Sequence, residues 1–208
     1  MKVLVVDKHA IFRMGLKKIL VEGISGARVD GVSTGVDAVR DVRQKKYDIV
    51  MLEAYLPDKS CFDVLRAIRR DDSKISVIVI GGHSDHQYAI RSYRCGANGY
   101  LSKEAEVDEV IAAVKKVRAG KLYVADFMAD RLVGGVCGAD DECLHSILSD
   151  REFDVMRMIA SGESLTDIGE KLSLSVKTIS TYRSRVLSKL KLKSNSELTR
   201  YAISLGLI

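Results

Sequence analysis

The chain has 208 residues, 47% of them hydrophobic and 29% charged, a composition that excludes a disordered or fibrous protein and leaves room for more than one domain. Its formal charge is +5 at pH 7, which admits a polyanionic partner, and no stretch approaches the ~20 apolar residues of a membrane span. The apolar start is broken at once by Asp7 and Lys8 and is too short for a secretory signal, so the expected compartment is the cytoplasm. There Cys61, Cys95, Cys137 and Cys143 would be reduced, and without a CxxC pair they do not suit zinc.

Residues 2–6 (KVLVV) are a continuous β-branched run of the kind a strand buried on both faces needs, and residues 11–20 then take helical spacing. The alternation repeats. Strands are expected at 28–32, 48–52, 76–80 and 99–102, and helices at 35–44, 61–70, 85–94 and 107–119. Parallel neighbours need crossover connections, so this order implies a doubly wound five-stranded parallel sheet of flavodoxin-like size with helices on both faces. Sites in such sheets form at the carboxyl ends of the strands, which directs attention to Asp7, Glu53, Gly81 and Lys103.

Charge divides the chain into three. Residues 1–124 carry 22 basic and 16 acidic side chains, residues 125–148 carry 1 and 5, and residues 149–208 carry 10 and 7. The acidic middle, with Gly134, Gly135 and Gly138, reads as a hinge. The expected domains are therefore 1–121 and 148–208, joined by a linker over 122–147.

After the linker the period is purely helical. Ser149 with Glu152, Ser164 with Asp167, and Ser194 with Glu197 are S-x-x-E/D helix starts, and Gly162 is a natural stop for a helix over 151–161. A short helix over 165–172, a turn at Ser173 and Leu174, and an N-cap at Ser175 lead into a basic amphipathic stretch over 174–193. There Val176, Ile179, Val186, Leu187 and Leu190 form an apolar stripe. Between Lys177 and Lys193 lie six basic residues and no acid, whereas a solvated surface helix usually mixes both signs. The four-helix unit thus contains a helix-turn-helix whose second helix suits a phosphate backbone.

LVVDKH at the first strand, DIVMLEAYLP at the third, GANGYLSK at the fifth and the ordered run SDREFDVMRMIASGESLTDIGEKLSLSVKTISTYRSRVLSKL resemble a response regulator of the NarL/FixJ family. The resemblance covers nearly the whole chain and implies a flavodoxin-like receiver domain followed by an all-α LuxR-type helix-turn-helix domain. A receiver of this family accepts a phosphoryl group on an aspartate ending the third strand. It uses Mg²⁺ held by an acidic pair after the first strand, a Ser or Thr after the fourth and a Lys after the fifth. Asp7, Lys103 and the aromatic Tyr100 match that pattern. Lys8 stands at the second acid, Glu53 at the acceptor and Gly81, followed by Gly82, at the hydroxyl.

Those changes predict weak or no Mg²⁺ binding, because an ammonium replaces an oxygen ligand and repels the ion. Glu53 is one methylene longer than the acceptor, which misplaces its oxygens for in-line transfer. The receiver is therefore expected to work without conventional aspartyl phosphorylation, with Glu53 paired to Lys8 or Lys103. Two alternatives remain at this point: a weakened but phosphorylated pocket, and a Glu53 that imitates an acyl phosphate. No catalytic role is expected, although a histidine kinase or another regulatory protein is an expected partner. Of the histidines near the rim, His9 stands where the family commonly has one and His83 and His86 are read as loop residues, none of them as metal ligands, and Cys137 and Cys143 are read as inert thiols.

The expected function is sequence-specific transcriptional regulation on double-stranded DNA. Ser180, Thr181 and Ser184 would face bases, with Tyr182 at the margin, while Lys177, Thr178, Arg183, Arg185 and Lys189 would hold phosphates. The resemblance also implies a homodimer through the last helix, expected over 197–205, using the apolar stripe of Leu198, Tyr201, Ala202 and Leu205, part of which must be core. The competing class is a degenerate receiver acting as a protein-interaction regulator that does not bind DNA.

Overall fold

The computed structural model describes residues 1–72, 74–82, 86–124, 144–205 and 207–208. His83, the side chain of His86, Cys137, Cys143 and the glycine hinge at Gly134, Gly135 and Gly138 lie outside the described residues. The chain divides into two compact units, Met1–Met128 and Ala129–Ile208.

In the first unit β1 (Lys2–Val6), α1 (Ala10–Gly23), β2 (Arg28–Val32), α2 (Gly35–Gln44), β3 (Ile49–Glu53), α3 (Cys61–Asp71), β4 (Ser76–Gly81), α4 (His86–Arg94), β5 (Gly99–Ser102) and α5 (Val107–Arg118) alternate as expected. The strands pair in parallel in the order β2-β1-β3-β4-β5, a flavodoxin-like doubly wound sheet. Successive strand residues face opposite ways, so each strand feeds two cores. Val3, Val5, Ile49, Met51, Ile78, Ile80 and Leu101 pack with Leu16 and Leu20 of α1 and Val110, Ala113 and Val117 of α5. Leu4, Val50, Leu52, Val77, Val79 and Tyr100 are equally buried on the other face, as are Ala38, Phe62, Leu65 and Tyr88 of α2, α3 and α4.

β3 runs one residue later than expected. Asp48 does not enter the strand, because its carboxylate accepts the Lys2 N–H at 2.6 Å. Glu53 instead becomes the last residue of the central strand, in register with Ile80. The following loop is tied back to α2 by Asp58, whose two oxygens accept the Gly35 and Val36 N–H groups at 2.8 and 2.9 Å. A carboxylate at orphan donors of a helix N-terminus is favourable for both charge and hydrogen bonding.

The linker expected over 122–147 is too long at both ends. Tyr123 bridges Gly99 beside β5, donates its N–H to Asn98 O at 2.9 Å and accepts the Tyr93 hydroxyl at 2.6 Å, so residues 122–124 extend the first unit. At the other end Leu144–Ile147 is a 3₁₀ turn, and buried His145 places Nδ1 3.0 Å from the Tyr201 hydroxyl within the second unit.

The second unit contains α6 (Asp150–Ala160), α7 (Leu165–Leu172), α8 (Val176–Lys189) and α9 (Asn195–Ser204). All three serine starts cap helices. Ser149 and Glu152 close a reciprocal capping box, while Ser164 and Ser194 accept the N–H of Asp167 and Glu197. Gly162, at φ 87°, follows α6 in the left-handed region that a side chain would oppose. In the turn between α7 and α8, Ser173 is left-handed and Ser175 caps α8 through the Thr178 N–H at 3.1 Å. Gly169 permits this tight turn, since a Cβ there would lie 2.8 Å from the Leu174 carbonyl oxygen.

Candidate functional site

Asp7, Lys8, Glu53 and Lys103 converge where β1, β3 and β5 end. Asp7 and Glu53 are buried to 1% exposure, an expensive position for two carboxylates unless their charge is answered. Lys103 answers it: its Nζ donates to Glu53 Oε1 at 2.7 Å and lies 2.9 Å from Asp7 Oδ2. The remaining oxygens accept backbone donors, Asp7 Oδ1 from His9 N–H at 2.7 Å and Glu53 Oε2 from Lys8 N–H at 2.9 Å. Lys8 turns its ammonium to the Tyr55 carbonyl at 3.0 Å and stays 3.7 Å from Glu53. Burial, the largest single influence on Lys103, pulls its pKa down. The hydrogen bond to Glu53 and the adjacent Asp7 carboxylate outweigh it and hold the pKa above the usual lysine value.

Two partners of this cluster were not legible in the sequence. The Phe12 ring lies 5.0 Å from the Lys103 ammonium, and His9, read as a bystander, stands 3.0 Å from Asp7 Oδ1 and 3.5 Å from Lys103 Nζ. Neither carries a spacing signal, because both depend on how α1 leaves β1.

In the second unit α8 buries Ile179, Val186, Leu187 and the following Leu190, as its stripe predicted. Val176, expected in that stripe, is the first residue of the helix and is 46% exposed. Lys177, Thr181, Ser184 and Arg185 are exposed, and Thr178, Ser180, Tyr182 and Arg183 are partly so. The Thr181 and Ser184 hydroxyls donate to the Lys177 and Ser180 carbonyls at 3.0 Å, which leaves their oxygens as acceptors outward. Arg183 reaches Asn195 Oδ1 at 2.6 Å, tying α8 to α9.

Lys189 differs from its expected role as a phosphate anchor. Its long stem carries Nζ back to buried Glu152 at 2.7 Å and to the Ile147 carbonyl at 3.4 Å, so its charge is spent inside the unit. Burial, the largest influence on Glu152, opposes its charged form, but Lys189 and the Ser149 cap together leave its pKa below the usual carboxylate value.

A response regulator receiver domain model matches residues 3–115, and a model of the luxR family of bacterial regulatory proteins matches residues 146–202. The response regulator UvrY of Escherichia coli K12 is 35% identical over 99% of this chain and 94% of its own length. The response regulator GacA of Pseudomonas aeruginosa is 32% identical over 100% and 97%. This chain belongs to the NarL/FixJ family of response regulators. A solved structure of RcsB from Salmonella typhimurium shares the fold, with a TM-score of 0.78 at 22% identity over 99% of this chain and 98% of that one.

In this response regulator the carboxylates where a receiver holds its cation share the Lys103 ammonium. The ligand atoms of Asp7, His9 and Glu53 lie within 4.8 Å of one another, a spacing a divalent ion could use. The Lys103 ammonium, however, stands among them: three of the four carboxylate oxygens accept N–H groups, and Asp7 Oδ2, which has no hydrogen-bond donor, lies 2.9 Å from the Lys103 Nζ. An octahedral ion at about 2.0–2.1 Å from hard oxygens would have to displace that ammonium and break those contacts.

The residues expected to form the dimer face separate in the structure. Leu198 and Ala202 are fully buried in the helix-turn-helix unit itself, and Tyr201 is turned to His145, because α9 needs that stripe to close its own core against α6. Leu205, past the end of α9, remains 44% exposed, and Ile203, which the sequence reading passed over, is 62% exposed.

Proposed function

We propose that this response regulator binds double-stranded DNA through α8 as a homodimer, and that its receiver works without conventional aspartyl phosphorylation. The observation that carries the second part is the Lys103 ammonium between Glu53 and Asp7, at 2.7 and 2.9 Å. A receiver whose pocket already holds its own cation has little need of a metal and offers an incoming phosphoryl group occupied oxygens. The regulator has no catalytic role in this reading, and its input is a histidine kinase or other regulatory protein acting by contact, or its own abundance. It would work in the cytoplasm, beside the chromosome; among the described residues no helix is long and apolar enough to cross a membrane.

For DNA, α8 presents the exposed ammonium of Lys177 and guanidinium of Arg185 to phosphates. Ser180, Thr181 and Ser184 would meet base edges, with Thr178, Tyr182 and Arg183 at the flanks. Structures of RcsB bound to promoter DNA support this reading of the fold they share. The dimer is assigned to the outer side of α9, through Ile203 with Leu205. Ile203→Lys is expected to shift the chain towards monomer in sedimentation without changing its thermal unfolding; an unchanged dimer would remove Ile203 from the interface.

The pocket is tested by incubating the whole chain with acetyl phosphate and Mg²⁺ and measuring intact mass. The expected result is no added phosphoryl group. Stoichiometric addition that Glu53→Ala abolishes would restore the conventional reading.

A further inference from the structure

We infer that Val176 is a specificity-determining residue, whose methyl groups cover the C5-methyl of a thymine in the major groove of the DNA this chain selects. Val176 is the first residue of α8 and, among the described residues, the one exposed large hydrophobic of that helix. The core of the unit closes on Ile179, Val186 and Leu187 of α8 without it.

Position limits what the side chain can meet. Residues three and four apart share a helix face, so Val176 stands one turn before Ser180 and two before Ser184, the hydroxyls assigned to base edges. Helical side chains lean towards the N-terminus, so Val176 points past the leading end of α8, the end that a helix-turn-helix lays against base edges. Ser175 fixes that end by accepting the Thr178 N–H at 3.1 Å, so the valine is presented on a capped turn. α6, α7 and α9 open with acidic residues, Asp150 and Glu152, Asp167, and Glu197 respectively. The first turn of α8 has none, and so carries no charge that phosphates beside the groove would repel.

Chemistry then names the contact. Of the groups that base pairs present in the major groove, the thymine methyl is the apolar one; the others are hydrogen-bond donors and acceptors. A valine against guanine O6 or N7, or against the cytosine N4 amine, would cover a polar group and leave it without a partner. Against a thymine methyl it removes apolar surface from water on both sides. A β-branched side chain is already held in one rotamer in a helix, so it loses little freedom on contact. Serine and threonine hydroxyls serve donors and acceptors alike, so a methyl-to-methyl contact in each half-site gives α8 a preference that Ser180, Thr181 and Ser184 lack.

The contact rests on the DNA reading proposed above. The test takes the full chain and a duplex recovered with it from a random library, and replaces each thymine in turn by deoxyuridine, which lacks only the C5-methyl. Affinities are measured for the wild type, Val176→Ile and Val176→Ala; the site is exposed, so alanine leaves no core cavity. At one thymine in each half-site, loss of the methyl is expected to weaken the wild type about three- to fivefold, the worth of one buried methyl-sized group. The same change is expected to weaken Val176→Ile equally and Val176→Ala not at all. Each loss is a ratio within one protein, so any change in folding cancels. A selected site without such a thymine, or equal deoxyuridine losses in wild type and Val176→Ala, would overturn the contact while leaving α8 as the DNA-binding helix. A chain that recovers no duplex from the library would remove the DNA reading itself, and the contact with it.

Discussion

Lys103→Met is expected to destabilise the receiver by about 1–3 kcal/mol at neutral pH, because it leaves two buried carboxylates without their ammonium. The upper part of the range for breaking buried pairs does not apply, since the Lys103 side chain is 28% exposed and solvent screens part of the interaction. Methionine keeps a stem of similar length but not the ammonium over the Phe12 ring, so the loss reads the charge rather than a cavity. The pH dependence has a definite sign. The folded pKa of Lys103 is raised, so its contribution is fully present below the unfolded lysine pKa of about 10.4 and is lost as pH rises through the folded value. The gap between wild type and Lys103→Met in denaturant unfolding should therefore be constant through neutral pH and close only in strong alkali. A variant as stable as wild type at neutral pH would mean that the ammonium does not hold the pocket together.

The second large effect is on DNA. Lys177→Ala with Arg185→Ala is expected to lower the salt slope of log K on random duplex by about 2, roughly one for each phosphate contact removed. The helix should stay folded, because both side chains are exposed and its hydrophobic anchors Ile179, Val186 and Leu190 are untouched. Lys189→Ala is the contrasting control: it strands Glu152 and should cost about 1–3 kcal/mol of stability with little change in the salt slope. The folded pKa of Glu152 lies below its unfolded value, so its contribution to stability is present above the unfolded pKa and lost as pH falls through the folded one. If Lys189→Ala changed the slope as much as Lys177→Ala, the ion pair would not represent the protein in solution.

Much of this was legible from residue types alone, for identifiable reasons. β1, β2 and β5 were read to the residue because their β-branched or small-residue runs end sharply at Asp7, Ser33 and Lys103, and the serine caps were read because their chemistry is local. β3 slipped by one, since Asp48 and Glu53 bracket its apolar run symmetrically and only the Lys2 contact favours the later register. Long-range choices were hidden in the same way. A helical wheel puts Lys189 with the other basic residues of α8, yet its stem spans the distance to Glu152. The stripe of α9 could equally have been core or interface, and the packing of α6 made Leu198 and Ala202 core. In the pocket, spacing brought Asp7, Glu53 and Lys103 together, but not the choice of Lys103 over Lys8 as the closer cation of Glu53, which follows from Lys8 turning towards Tyr55.

The most direct measurement is the affinity of the full chain for a selected genomic DNA fragment before and after treatment with acetyl phosphate and Mg²⁺, with intact mass read on the same samples. A pocket filled by Lys103 predicts unchanged mass and a Kd that moves by less than about twofold. A phosphoryl group on Glu53 accompanied by about tenfold or greater tightening would contradict it.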